Sequence, residues 1–71
     1  MDRYQAWKAA RVVTDNGILG GEPVFKGSRL AVCHVGDLLL RGHNAEVRED
    51  YPYLTAEDFE FAPAFTRAFR R

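Results

Sequence analysis

Residues 32–59 read Val32-Cys33-His34-Val35-Gly36-Asp37-Leu38-Leu39-Leu40-Arg41-Gly42-His43-Asn44-Ala45-Glu46-Val47-Arg48-Glu49-Asp50-Tyr51-Pro52-Tyr53-Leu54-Thr55-Ala56-Glu57-Asp58-Phe59. Val35, Leu38 and Leu39 recur at i, i+3 and i+4, and Arg41-Gly42 supplies a late cation followed by the glycine favoured just past a helix end. A helix of about three turns is expected from Val32. Asn44 can cap a second helix with Glu46 in its first turn and Val47 and Tyr51 on one face, which Pro52 ends. Thr55 then caps a third helix, with Glu57 and Asp58 placed to suit its dipole. Residues 33–71 are therefore read as a tri-helical unit of the helix-turn-helix kind.

The third helix should run from 56 towards the terminus. At about 100° per residue, Phe61, Ala62, Ala64, Phe65, Ala68 and Phe69 share one broad arc, while Glu60, Arg67, Arg70 and Arg71 lie opposite. So many aromatic residues on one terminal helix suggest that part of this face meets another chain. Pro63 sits beyond the first turn and should kink or restart the helix.

Upstream, Val24-Phe25-Lys26 and Arg29-Leu30-Ala31-Val32 are β-rich runs joined by Gly27-Ser28, the pattern of a type II′ hairpin over 24–32. Val12-Val13 is a further β-forming pair ahead of the turn signals Asp15-Asn16-Gly17 and Gly20-Gly21. Tyr4, Trp7 and Arg11 fall at helical spacing, so residues 1–10 are read as a short amphipathic helix and 11–32 as the strand and hairpin region. The expected fold class is α+β, mostly α, in a single domain over 1–71: a small N-terminal hairpin with the tri-helical bundle.

Seventy-one residues can hold only one small core, worth roughly 3–5 kcal/mol unless something else supports it. The single cysteine, Cys33, cannot make an internal disulfide, which leaves association with a second chain as the expected support. No apolar run spans a bilayer and the N-terminus lacks a signal-peptide pattern, so a cytoplasmic protein is expected with no membrane partner. Ten basic groups balance ten acidic ones. The balance conceals blocks: residues 1–43 carry +2, 44–60 carry −5, and 61–71 carry +3. The acidic middle falls at the head of the would-be recognition helix, where phosphate-binding residues would be needed.

No catalytic constellation emerges. Cys33 and His34 are adjacent and diverge on a helix, with no third group to orient the histidine, so Cys33 reads as a structural core thiol. His34 and His43 lack the spacing and companions of a zinc site, and Glu49-Asp50 and Glu57-Asp58 read as surface and dipole partners rather than cation ligands. Neither glycine pair opens a phosphate loop. We expect no enzyme activity, cofactor or metal. Arg29 and Asp37 could pair and fix the hairpin against the bundle, the alternative for them being phosphate binding or partner contact.

The segment Ile18-Leu19-Gly20-Gly21-Glu22-Pro23-Val24-Phe25-Lys26-Gly27-Ser28-Arg29, with Asp37-Leu38-Leu39-Leu40-Arg41-Gly42 and Tyr51-Pro52-Tyr53-Leu54-Thr55-Ala56-Glu57-Asp58-Phe59 in that order, resembles domain-of-unknown-function family four-three-three over about residues 11–66. Pro63 and Phe61 depart from the aliphatic and small residues common there. The resemblance implies a hairpin joined to a homeodomain-like tri-helical unit, a homodimer, and a VapB-like antitoxin paired with a PIN-like ribonuclease toxin. On this reading the protein neutralises the toxin by direct binding and regulates its own operon by binding operator DNA as a dimer. PIN-type sites concentrate carboxylates around metal, which an arginine could engage. The expected toxin contacts are Phe61, Phe65, Arg67, Phe69, Arg70 and Arg71, and the expected DNA contacts are Lys8, Arg11, Lys26 and Arg29. The alternative is a stand-alone dimeric helix-turn-helix regulator.

Overall fold

A computed structural model describes residues 2–70. The fold is α+β and mostly helical: α1 (Arg3–Arg11), β1 (Val12–Val13), β2 (Val24–Phe25), α2 (Val32–Leu40), α3 (Asn44–Asp50) and α4 (Ala56–Phe69), with a 3-10 turn at Leu19–Gly21. Asp2 caps α1, its Oδ1 accepting from the Gln5 N–H at 2.8 Å. The chain passes from α1 into β1 without a loop because Val12 and Val13 resist the helical χ1 restriction and extend instead.

The sheet is antiparallel, with Val12 opposite Phe25 and Val13 opposite Val24. Val24 and Phe25 are fully buried, so this small sheet is part of the core. The return stroke expected over 29–32 is reduced to one bridge, Val24 with Ala31, plus the bond from Phe25 N–H to Leu30 O at 3.0 Å. The connecting turn also differs by one residue from the expected type II′. Ser28 N–H donates to Phe25 O at 3.0 Å and Gly27 has φ +81°, which makes Gly27 the third turn residue, as in a type II turn. Ser28 secures it by donating from Oγ to Phe25 O and accepting from Leu30 N–H.

Helix α2 closes as the sequence indicates. Gly42, at φ +86°, allows its N–H to reach Leu39 O and the His43 N–H to reach Leu38 O, at 3.1 and 2.9 Å. That closure decides the next helix start. His43, already tied to α2, becomes the residue before α3, and Asn44 is the first residue inside it rather than its cap. Thr55 and Asp58 form a full capping box at the head of α4. Helix α4 continues through Pro63 as one element, without the expected restart.

The core joins Trp7, Phe25, Val32, Cys33, Val35, Val47, Ala62 and Phe65. Helices α2 and α4 form its main contact, and they touch through Gly36, whose missing side chain leaves room for Thr66 and the Ala62 carbonyl. This approach rotates α4 away from the expected arc. The fully enclosed positions are Asp58, Ala62, Phe65 and Thr66, whereas Ala64, Ala68 and Phe69 are exposed. Thr66 is tolerated inside because its hydroxyl donates to Ala62 O at 2.8 Å.

Candidate functional site

The most constrained chemistry in the molecule lies where α1 crosses the head of α4. Asp58 is fully buried, and both carboxylate oxygens are engaged. Oδ1 accepts from Trp7 Nε1 at 2.8 Å and Arg11 Nε at 3.1 Å. Oδ2 accepts from Arg11 Nη2 at 2.8 Å and from the Thr55 backbone N–H at 2.9 Å. The expectation that Asp58 is a surface acid is thereby corrected: the capping geometry turns its side chain inward, where α1 supplies a cation and an indole N–H. Tyr4 meets Phe61 edge-on, Trp7 lies tilted against Phe61, and Trp7 meets Phe65 edge-on, with centroids 5.7 to 6.3 Å apart. Outside, Arg3 makes a bidentate pair with Glu60 at 2.8 and 2.9 Å and lies over the Phe61 ring.

Burial raises the pKa of Asp58, but the hydrogen bonds from Arg11, Thr55 and Trp7 outweigh it and bring the carboxyl below its usual range. A group whose native pKa is depressed stabilises the fold fully above its unfolded value, about 4, and ceases to do so as pH falls through the native value. The parent chain should therefore lose stability from about pH 4 downward, and Asp58→Asn should flatten that loss. Urea midpoints at neutral and acid pH read this directly; equal acid loss in both proteins would remove Asp58 from the explanation.

This clasp is structural and it reassigns several residues. Arg11, expected at phosphate, is committed to Asp58 and lies over Phe25. Phe61 and Phe65, expected at a toxin, face α1 and the core. Arg70 pairs with Asp37, which takes the partner expected for Arg29. The reason is register: α2 and α4 lie side by side and bring the end of α4 to Asp37, while Arg29 sits exposed beyond the turn at Gly27. Arg71 lies outside the described residues.

What remains on the outside is Phe69, Arg67, Lys8, Lys26 and Arg29. Phe69 is 54% exposed and stacks on Phe65 at 5.9 Å with the rings 10° apart. Together with Lys8, Ala9, Val12, Val13 and Pro23, the two rings line a shallow groove between α1, β1 and the end of α4. Arg67, Lys8, Lys26 and Arg29 are exposed, and no salt bridge engages them among the described residues. The groove was missed at the sequence level, because its walls come from three segments that no spacing rule connects.

Cys33 is buried as expected, and burial pushes its thiol pKa up, away from reactivity. Among the described residues no group of three or more His, Cys, Asp or Glu is placed to hold a metal ion. No helix among them is long and apolar enough to cross a membrane.

No curated protein and no solved structure matches the chain significantly. A family model described as protein of unknown function (DUF433) matches residues 12–66, which takes in everything from β1 to most of α4 and leaves out α1. The chain belongs to the DUF433 family.

Proposed function

We propose that the protein is a toxin-binding antitoxin of a type II pair, neutralising a PIN-like ribonuclease by direct contact through the exposed end of α4 and the groove beside it. The observation that carries the reading is Phe69, a large aromatic side chain more than half exposed at the groove's edge; Arg67, on the other side of the same helix, is an exposed cation with no salt bridge among the described residues. An aromatic ring left this open beside a groove suits an interface, since aromatic residues and arginines are the usual anchors of binding. A carboxylate-lined ribonuclease site is a fitting counterpart for a free guanidinium.

The proposed contacts reduce to Phe69 and Arg67, because Phe61, Phe65 and Arg70 have partners within the chain. The same reading includes a homodimer and operator binding in the cytoplasm. The alternative, a stand-alone DNA-binding regulator, is less well supported: Arg11 is engaged by Asp58, and Glu57 and Glu60 stand at the head of α4.

The test is co-expression with a PIN-like ribonuclease encoded beside this chain, followed by co-purification and an RNA-cleavage assay. Cutting the chain before Pro63 would also delete Phe65 and Thr66 from the core, so point variants are the cleaner probe. Phe69→Ala and Arg67→Glu should each change folding stability by only about 0.5 kcal/mol, as surface substitutions do, yet weaken the complex about tenfold or more, the loss of an interface anchor. Full neutralisation by the double variant would overturn this assignment of the surface.

A further inference from the structure

The end of α1, the turn after β2 and the link between α3 and α4 meet around a concavity of about 350 Å³, lined by Arg11, Phe25, Lys26, Gly27, Ser28 and Tyr53. Its size falls within the roughly 300–1,000 Å³ typical of small-ligand sites. The lining holds two cations and no acid. It shares no residue with the groove beside Phe69.

Three donors in this lining are without acceptors. Arg11 engages Asp58 through Nε and Nη2, while Nη1 has no hydrogen bond among the described residues. The guanidinium is nevertheless held in place, by its two bonds to Asp58 and by the Phe25 ring, whose centre lies 5.8 Å away, so presenting Nη1 to a ligand costs little further ordering. Lys26 is exposed and makes no salt bridge among the described residues. The type II turn sets Gly27 at φ +81° and leaves its N–H with no acceptor among those residues, while the preceding Lys26 N–H reaches Arg11 O at 2.6 Å and ties the turn to α1. Tyr53 supplies a flat wall. It is 57% exposed and is braced edge-to-face by Tyr51, with centroids 6.4 Å apart, which suits it to stack a planar ring.

We propose that this pocket binds the terminal phosphate of a nucleotide, with the phosphate on Arg11 Nη1, Lys26 Nζ and the Gly27 N–H and the base stacked on Tyr53. A lining with donors and no carboxylate selects an anion, and three separate donors suit the three terminal oxygens of a phosphate monoester better than the two of a carboxylate. Asp58 offsets the charge of Arg11, so Lys26 supplies the net attraction and Arg11 a fixed direction. The same chemistry is carried by a free nucleoside monophosphate and by the 5′-phosphorylated end of a single strand. The pocket is separate from the proposed toxin surface, and either assignment can fail without the other.

The experiment titrates the full chain with adenosine 5′-monophosphate, adenosine, inorganic phosphate and phosphotyrosine, following heat and the backbone amide resonances. The monophosphate should bind at least tenfold more tightly than each of the other three and should shift the Gly27 amide. Lys26→Glu and Tyr53→Ala should each weaken it at least tenfold with urea midpoints unchanged, whereas Tyr53→Phe, which keeps the ring, and Arg29→Glu, a cation outside the pocket, should change it less than twofold. Should Tyr53→Ala shift the midpoint, Lys26→Glu against Arg29→Glu decides alone. An adenine trinucleotide with and without a 5′-phosphate separates the sources: phosphate-dependent binding at least as tight as that of the mononucleotide assigns a strand end, and binding tenfold weaker assigns the free nucleotide. No binding of the monophosphate, equal binding of adenosine or of inorganic phosphate, preference for phosphotyrosine, or equal losses in Lys26→Glu and Arg29→Glu would each overturn the proposal.

Discussion

Asp58→Ala is expected to leave much of the protein unfolded at room temperature. Removing one partner of a buried ion pair costs about 3–5 kcal/mol, comparable to the whole stability of roughly 3–5 kcal/mol that a core of this size supplies. The loss has identifiable parts. Arg11 would keep a half-buried guanidinium without its carboxylate, the Trp7 indole N–H would lose its acceptor inside the core, and the head of α4 would lose half of its capping box. Chemical denaturation followed by circular dichroism measures the outcome. A double variant, Arg11→Met with Asp58→Ala, should recover part of the loss, since it leaves no unpaired charge. A midpoint for Asp58→Ala within experimental error of the parent would mean that the clasp between α1 and α4 contributes little.

Gly36→Ala should also be strongly destabilising, against the direction of intrinsic helix propensity. In an isolated helix the change would stabilise by about 1 kcal/mol. Here the new Cβ would lie 1.8 Å from Thr66 Oγ1, 2.7 Å from the Ala62 carbonyl oxygen and 2.8 Å from Thr66 Cβ. Rotating the hydroxyl cannot relieve the clash with a backbone oxygen, so α2 and α4 must separate along their main contact. Overpacking of this kind costs about 1–3 kcal/mol, occasionally more, and contact with a backbone oxygen puts this case at the upper end, about 2 kcal/mol beyond the propensity gain. A fall in melting temperature of roughly 10 °C is expected, at about 4–8 °C per kcal/mol for a domain of this length. Adding Thr66→Ala should restore only part of it, because the Ala62 carbonyl remains in the way. A rise in melting temperature for the single variant would show that the two helices part without cost.

The helices were legible wherever a local rule marked them: Thr55 as a cap, Gly42 as a terminator, Pro52 as a stop, and Val12-Val13 as an extended pair. The resemblance carried by the segments 18–29 and 51–59 was legible too, and the match over residues 12–66 bears it out. What the sequence hid was pairing across distance. Helical geometry gives the angle of each residue about an axis but does not say which arc meets a neighbour, so nothing in the shared arc of Phe61, Ala62, Ala64, Phe65, Ala68 and Phe69 indicates that Thr66 is enclosed while Ala64 and Ala68 face outward. Asp58 has the same identity whether it faces water or a guanidinium 47 positions away. Arg29 and Arg70 were equally suitable partners for Asp37 until the crossing of α2 and α4 chose between them.

The clasp also bears on how the chain is made. Trp7 is buried against Asp58, Phe61 and Phe65, and Arg3 and Arg11 find their partners at Glu60 and Asp58. During synthesis the first helix is therefore polymerised some fifty residues before its partners on α4. Its indole and its tyrosine stay in water until nearly the last dozen residues emerge. Helix α1 is completed by α4, and a nascent chain halted before residue 58 lacks the acid that holds Trp7 and Arg11 and the rings of Phe61 and Phe65 that cover the indole.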